Sequence, residues 1–557
     1  MRRYLKPLLF CGLSFCTTGF TQFPGTHNYM FFNTNDLVFF PIHGVTYDDE
    51  SGSAVSYAGD VNGDGIDDVI IGAEKAEFGV RPAGGSEGEG YVVFGKATDT
   101  KVELSNLDTN TGNHGFIIRG YVGSAGASVS AAGDVNGDGL DDIIIGAYVG
   151  GDPGVDLRGE SYVVFGKTST TEVNLAHIKS NTGGHGFLIR GSKSYDQSGF
   201  SVSGAGDVNG DGLDDIIIGA PFSDPTYLTV NGQNSAGLSY VVYGKTTTTA
   251  VNLAEIESES RTGNLGFGIY GYDIEDQSGY AVSGAGDVNG DGFDDVIIGA
   301  IGADPYGMSN AGTSYVVYGK ASTPVFIRLR YLEVDAGNLG FAIYGASAND
   351  QSGYAVSAAG DVNGDGLDDV IVGAPWADPS TNSNAGSSYV VYGKTTSTPV
   401  RLSDIEGYSG SHGFAIHGAS VDDGSGISVS GAGDVNGDCF DDVIIGAKYA
   451  DPNGTSNKGS SYVVFGKSTA SASTVGLSNI ESNSGYHGFA IYGSQYLDYS
   501  GSAVSKAGDM NKDGLGDVIV GSPMADPRTT NSGRKNAAGI SYVIFGKTTT
   551  TPVQLTD

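Results

Sequence analysis

The stretch DVNGDGIDD, Asp60 to Asp68, decides how this chain is read, because it returns six more times. The copies are DVNGDGLDD from Asp134 and from Asp207, DVNGDGFDD from Asp287, DVNGDGLDD from Asp361, DVNGDCFDD from Asp434 and DMNKDGLGD from Asp509. Successive copies stand 74, 73, 80, 74, 73 and 75 residues apart. Self-similarity at such a period marks a repeat architecture in which each repeat is one supersecondary unit. The nine residues are also a chemical object. Oxygen-bearing side chains at positions 1, 3, 5 and 9, around a tight turn, suit a hard cation such as calcium.

Each copy offers the same donors. In the first, Asp60, Asn62, Asp64 and Asp68 supply side-chain oxygens and Ile66 a backbone carbonyl. The matching sets are Asp134, Asn136, Asp138, Leu140 and Asp142, then Asp207, Asn209, Asp211, Leu213 and Asp215, then Asp287, Asn289, Asp291, Phe293 and Asp295. They continue with Asp361, Asn363, Asp365, Leu367 and Asp369, with Asp434, Asn436, Asp438, Phe440 and Asp442, and with Asp509, Asn511, Asp513, Leu515 and Asp517. An EF-hand opens in the same way but needs a Glu twelfth in the loop and a helix on each side. Here the twelfth residue is Ile71 or Ile218, and the flanks read as strands. A metal-free Asn/Asp/Gly hairpin turn is the simpler reading of one copy. Seven copies with the same three carboxylates argue against it, because converging carboxylates repel one another without a cation. The sixth loop has Cys439 where the others have Gly, at a position expected to be left-handed, and is therefore expected to bind most weakly. The seventh departs at Lys512 and Gly516, neither of them a donor position. Position 8, Asp214 in the third loop, is expected to point away from the ion.

Composition bounds the function. The 557 residues carry a formal charge of −35, and seven divalent ions would bring it to −21. Few Lys and Arg argue against a nucleic-acid partner, since phosphate contacts depend on them. The 91 glycines sit at fixed offsets beside strand-like runs, which indicates turn chemistry rather than low complexity. Of three cysteines only Cys439 lies in the body, so no disulfide framework exists within it. Residues 1–28 begin MRRYLK and continue through an apolar run, as a signal peptide and leader would. The expected location is therefore secreted or cell-surface. No other segment is apolar enough to span a membrane.

Within a unit the order is constant. A GFxIxG motif, such as Gly340 to Gly345, is followed by a polar loop ending in DQSG or a variant (Asp196, Asp276, Asp350). Then come a short alternating stretch, the acidic loop, an apolar run such as Asp369 to Ala374, and a loop often holding Ala-Asp-Pro (Asp304, Asp378, Asp451, Asp526). SYVVFGK or SYVVYGK, a Thr/Ser-rich connector and a V-x-L segment complete it. The apolar pieces are short, β-branched or aromatic, and bounded by turn residues, which reads as strands. Four short antiparallel strands per repeat make a blade, and seven blades a β-propeller, so the expected fold is all-β. Six GFxIxG motifs follow acidic loops, and a degenerate seventh, Phe39 to Gly44, precedes the first. The last blade lacks that strand at the C-terminal side. Residues 37–44 are thus expected to complete blade seven, with residues 29–557 forming one propeller. An open solenoid would leave exposed edges and need no complementary ends.

The SGYAVS stretch before the loop, the loop itself, and the GAP that follows it (Gly219 to Pro221, Gly373 to Pro375) closely resemble the FG-GAP repeats of integrin α-subunit propellers and their bacterial relatives. The resemblance covers residues 37–557. It implies a seven-bladed propeller with calcium in the hairpin between strands one and two. In integrins only some blades carry this loop, whereas here all seven do. No stretch resembles the integrin leg domains or anchor, so an integrin receptor is not implied. Some sugar-binding lectins also use such propellers.

No catalytic constellation is apparent, and an enzyme is not expected. His114, His185, His412 and His487 precede the GF motifs and read as structural. Strand alternation puts the DQSG and Ala-Asp-Pro loops, with Phe222, Tyr306, Trp376 and Tyr449, on the face opposite the acidic loops. Variable loops on a rigid scaffold are where binding resides, although these aromatics could equally cover blade ends. The expected protein is a monomeric, exported, calcium-binding propeller for cell adhesion or extracellular protein interaction. A calcium-dependent, carbohydrate-binding lectin using the same face is the alternative.

Overall fold

The computed structural model describes residues 38–556 except 78–86, 97, 99, 122, 152–156, 226–234, 259–264, 322–325, 335–337, 381, 407–411, 469–473, 530–532 and 535–536. The leader expected over residues 1–28 lies outside the described residues.

The apolar runs form strands as their composition demands, and seven equivalent sheets result. Blade one runs outward from Ala54–Gly59 through Asp68–Ala73, Glu89–Val93 and Gly115–Arg119, all antiparallel. The second strand is buried along its whole length, which explains why DVIIGA is apolar on both faces. One hydrophobic cluster fills each gap between neighbouring blades. Between blades three and four, for example, Ile217, Val241 and Phe267 meet Val296, Ile298 and Tyr315. The fold therefore has no core inside a blade, only cores between blades.

The sheets hold five strands, not four. The V-x-L segment adds a short parallel strand to the outer edge of the preceding blade: Val102–Glu103 joins Phe39–His43, and Val173–Asn174 joins Gly115–Arg119. A four-stranded blade would expose a row of unpaired backbone groups at its rim, and this two-residue strand covers part of it. A short helix follows, as in Leu104–Asp108 and Leu175–Lys179, burying the i and i+3 apolar residues Leu104/Leu107 and Leu175/Ile178. That spacing was legible as one helical turn but is too short to register beside the strands.

Ring closure follows the expected register. Phe39–His43 pairs antiparallel with Ile540–Ile544, so the start of the chain supplies the fourth strand of blade seven. Phe40 and Ile42 are fully buried in the cluster between blades seven and one. The glycine opening each full GFxIxG motif takes a conformation that a side chain would strain, whereas blade seven has Phe39 at the equivalent place. Gly115 has φ 141°, and a Cβ there would collide with the Val92 carbonyl oxygen.

The tyrosine of each third strand is fully buried, and six of these hydroxyls donate to a carboxylate. Tyr91 and Tyr162 donate to Glu89 and Glu160 on their own strands at 2.5 and 2.6 Å. Tyr240, Tyr315, Tyr389 and Tyr462 donate to Glu257, Glu333, Glu406 and Glu481, which lie on or just after the short helices. A buried phenol needs such a partner, and the last four pairs fix the helices against the blades.

Candidate functional site

Each acidic loop is the hairpin between the first and second strands of its blade. Loop one shows the arrangement of the set. Asp60 Oδ1 accepts the N–H groups of Gly63 and Asp64 at 2.8 and 3.0 Å, and its Oδ2 that of Gly65 at 2.8 Å. Asp64 Oδ1 accepts the N–H of Ile66 at 2.9 Å. Asp68, fully buried, accepts from Val61 at 3.0 Å and from Gly95, past the third strand, at 2.9 Å. Asn62 leans across the loop to Asp68 at 3.3 Å. Among the described residues no three acidic, His or Cys side chains converge on one point as metal ligands. Here the carboxylates are turned to backbone N–H groups instead.

Two observations bear on whether these residues suit a cation. Burial pushes the Asp68 carboxyl up to about 8, with Asp64 and Asp60 adding to the rise against the Gly95 and Val61 N–H groups. Burial likewise lifts Asp142, Asp215, Asp295, Asp369, Asp442 and Asp517 to about 8. A fully buried carboxylate beside two others is unfavourable unless positive charge accompanies it. In loop five, moreover, Asn363 is 4% exposed and its Oδ1 has no hydrogen-bond partner. A buried amide oxygen left bare costs free energy, and a hard cation would satisfy it. Loops one to six therefore fit an oxygen-ligated ion.

Position 8 has a role that the sequence did not disclose. It does point out of its own loop, but it reaches the neighbouring blade. Asp141 Oδ2 accepts the N–H of Asp60 at 2.8 Å, Asp214 that of Asp134 at 2.8 Å, and Asp294 that of Asp207 at 2.9 Å. Asp368, Asp441 and Asp67 make the same clasp onto Asp287, Asp361 and Asp509. Each clasp abuts the glycine before the loop, and a Cβ on Gly59 would collide with the Asp141 carboxylate. The seam between blades six and seven has Gly516 at this position and so no such carboxylate. The only signal in the sequence was the paired aspartates, present in six loops and absent from the seventh.

The opposite face is also built on aspartates. Asp196, Asp276, Asp350 and Asp423, from the DQSG-type loops, each accept the N–H three residues earlier, for example Asp276 from Asp273 at 2.9 Å. Asp304, Asp378 and Asp451, from the Ala-Asp-Pro loops, accept the N–H six residues later at 2.6–2.7 Å. These acids cap turns. Burial lifts Asp276, Asp350 and Asp423 to about 7 and Asp196 to about 6. Between about pH 4 and 7 the folded state therefore holds protons that the unfolded chain has released, so these groups make stability fall as pH rises through that window. In metal-free protein the urea midpoint is expected to be lower at pH 7.5 than at pH 5. Asp350→Asn should flatten that slope, and an unchanged slope in the variant would remove Asp350 as a contributor.

Of the aromatics singled out from the sequence, Phe222 joins a run of rings beside the innermost strands. Tyr148, Phe200, Tyr280 and Tyr354 follow one another with ring centroids 5.6, 5.1 and 5.2 Å apart, and Phe222 stands 6.1 Å from Phe200. Tyr306 is exposed with its edge on Tyr344, Tyr449 packs on Tyr499, and Trp376 is half-buried. Sequence reasoning missed Phe200, Tyr280 and Tyr354, which open the innermost strands and looked like ordinary strand residues. His114, His185, His412 and His487 each accept a ladder hydrogen bond through the backbone carbonyl, consistent with structural positions. No helix among the described residues is long and apolar enough to cross a membrane.

Comparison with known proteins agrees with this architecture. The FG-GAP repeat pattern matches residues 125–164, 198–242, 278–317, 352–391, 425–464 and 500–544, which are blades two to seven. Blade one repeats the same strands without a match. The chain is 29% identical over 358 residues to integrin alpha pat-2 of Caenorhabditis elegans, covering 63% of this chain and 24% of that protein. It is 29% identical over 249 residues to integrin alpha-V of Gallus gallus, covering 44% and 20%. It is also 29% identical over 187 residues to phosphatidylinositol-glycan-specific phospholipase D of Bos taurus, covering 32% and 20%. The chain thus spans a quarter or less of these relatives. Repeats, loops and closed ring together identify the chain as an FG-GAP repeat protein, a seven-bladed β-propeller of the integrin α type.

Proposed function

We propose that this is an exported, calcium-stabilised propeller, with residues 1–28 as signal and leader, that mediates adhesion or extracellular protein interaction without catalysis. Its binding surface is the face opposite the acidic loops. The observation that carries this reading is where exposed apolar side chains gather. Tyr47, Tyr195, Ile274, Val421 and Tyr496 stand on the loops between blades, and Tyr306 on a loop within blade four, all at that face. Together with the aromatic run from Tyr148 to Tyr354 they form the kind of apolar, aromatic-rich surface that protein interfaces favour. The integrin relatives support extracellular protein ligands. In loops one to six the ion would be held by positions 1, 3, 5 and 9 and the carbonyl of position 7. It would supply positive charge to the buried position-9 carboxylates and so brace each hairpin.

A second reading, the calcium-dependent lectin, draws on a cavity of about 250 Å³ in blade four. Asp273, Asp276, Asp304, Glu333, Tyr306 and Tyr344 line it, a mixture of acids and aromatic rings that could hold one sugar ring. Screening the whole chain against purified matrix proteins and a glycan array, in calcium and in chelator, separates the two. Protein binding that is lost in Tyr306→Ala/Tyr496→Ala supports adhesion. Binding confined to the array supports the lectin, and binding unaffected by that variant rejects the proposed face.

Loop chemistry has its own test. Asp211→Ala is expected to weaken calcium binding with little change in metal-free stability. Asp214→Ala should do the reverse, losing about 1–3 kcal/mol because the Asp134 N–H is left unpaired. Calorimetric titration and urea unfolding on both variants check this. Equal effects would discard the division between ligand and clasp.

A further inference from the structure

Loop seven departs from the other six in ways its sequence conceals. In those six, the N–H groups of the fourth, fifth and sixth residues all aim at the first aspartate. Gly63 donates to Asp60 at 2.8 Å, and Gly437 to Asp434 at 2.7 Å. In loop seven the fourth residue is Lys512, and only Asp513 and Gly514 donate to Asp509. In the other loops the Asn at position three leans to the ninth residue, as Asn209 does to Asp215 at 3.1 Å and Asn436 to Asp442 at 3.4 Å. Asn511 makes no such contact. Its Oδ1 accepts the N–H of Asp513 at 2.8 Å, so the oxygen expected to face an ion is committed to the backbone.

Lys512 accounts for the change. It holds φ 58°, where the equivalent residues of the other loops are glycines with φ between 74° and 80°. A side chain there is strained, and the loop has relaxed around it. The lysine side chain itself leans away from its own loop, towards loop one. Its Nζ lies 3.6 Å from where a Cβ on Gly65 of loop one would stand. Loop six, expected from its sequence to be the weakest, keeps the full set of bonds. Cys439 sits at φ 71° and still donates to Asp434 at 2.8 Å, while Phe440 donates to Asp438 at 3.0 Å. The hydrogen bonds of the two loops favour the opposite order to the one expected from the sequence.

We propose that this propeller has six competent calcium loops and that loop seven is silent, because its position-three oxygen is turned to the backbone and its fourth residue, Lys512, no longer aims its N–H at the first aspartate. The inference rests on the calcium reading of loops one to six. The test is metal stoichiometry of the whole chain, stripped with chelator, dialysed against calcium chloride and measured by mass spectrometry of the metal. Six ions per chain are expected. Asp513→Ala, an exposed loop residue, should leave six, Asp438→Ala should leave five, and Lys512→Gly should raise the number to seven. Seven ions in the parent, falling to six in Asp513→Ala, would overturn the silence of loop seven and leave the calcium reading intact. Six ions in the parent with Asp438→Ala unchanged and Asp513→Ala falling to five would also overturn it, by making loop six the silent one. No bound calcium in any variant would reject the calcium reading itself, and these outcomes do not overlap.

Discussion

Withdrawing calcium is expected to lower the melting temperature by roughly 15 °C if the ring unfolds as one unit. A ligand that binds only the folded state contributes about 2.7 kcal/mol per site at a free concentration a hundredfold above Kd. Six sites together contribute on the order of 16 kcal/mol. With an unfolding entropy of about 2 cal/mol/K per residue, a propeller of this size shifts by about 1 °C per kcal/mol. The cause is local to each loop. The buried carboxylates of Asp68 and its five equivalents in loops two to six have been taken out of water beside two further acids, and a divalent ion would remove that penalty. Differential scanning calorimetry in excess calcium and in chelator measures it directly. Magnesium should restore less, because it requires near-octahedral geometry and gives up its water reluctantly. A melting temperature indifferent to calcium would leave the loops as bare turns held by the N–H groups that already occupy Asp60 and Asp64.

Deleting residues 38–44 is expected to open the ring. The strand Phe39–His43 closes two contacts at once, pairing with Ile540–Ile544 on one edge and receiving Val102–Glu103 on the other. Without it, blade seven presents a bare apolar edge, and such edges recruit other chains. The cluster between blades seven and one also loses Phe40 and Ile42, both fully buried, and the contact of Phe40 with Phe545 at 5.8 Å. Size-exclusion chromatography with light scattering should show dimers or aggregates in place of a monomer. A milder probe keeps the strand: Phe40→Ala should cost about 3–5 kcal/mol as a large-to-small change in a closed core. A truncated protein that stays monomeric with its melting temperature unchanged would show that the ring is held shut without this strand.

Much of this was written in the chain itself, and the reasons are local. The acidic loop is a nine-residue object, and its donors are read off by position. The strands are short apolar runs bounded by turn residues, and DVIIGA signals burial on both faces without reference to anything distant. Ring closure was legible because the count was uneven, with a GFxIxG-like strand to spare at Phe39 and one missing after Ile544. What only the tertiary structure decided concerns partners far apart in sequence. The clasp from Asp141 to Asp60 spans 81 residues, and that from Asp67 to Asp509 spans 442. Nothing in a DD dipeptide says which acid serves its own loop and which the next blade, because that depends on how closely two blades approach at Gly59. The fifth strand is a similar case. Val102–Glu103 is too short to be recognised alone and becomes a strand only where it meets the edge of blade seven. Loop seven differs because Lys512 occupies a donor-free position yet changes the backbone on which the donors are mounted. Sequence therefore determined the repeated unit and its chemistry, through short-range turn and burial preferences. The structure alone decided how units grip one another and which loop hydrogen bonds form, since those outcomes depend on distances set by closing the ring.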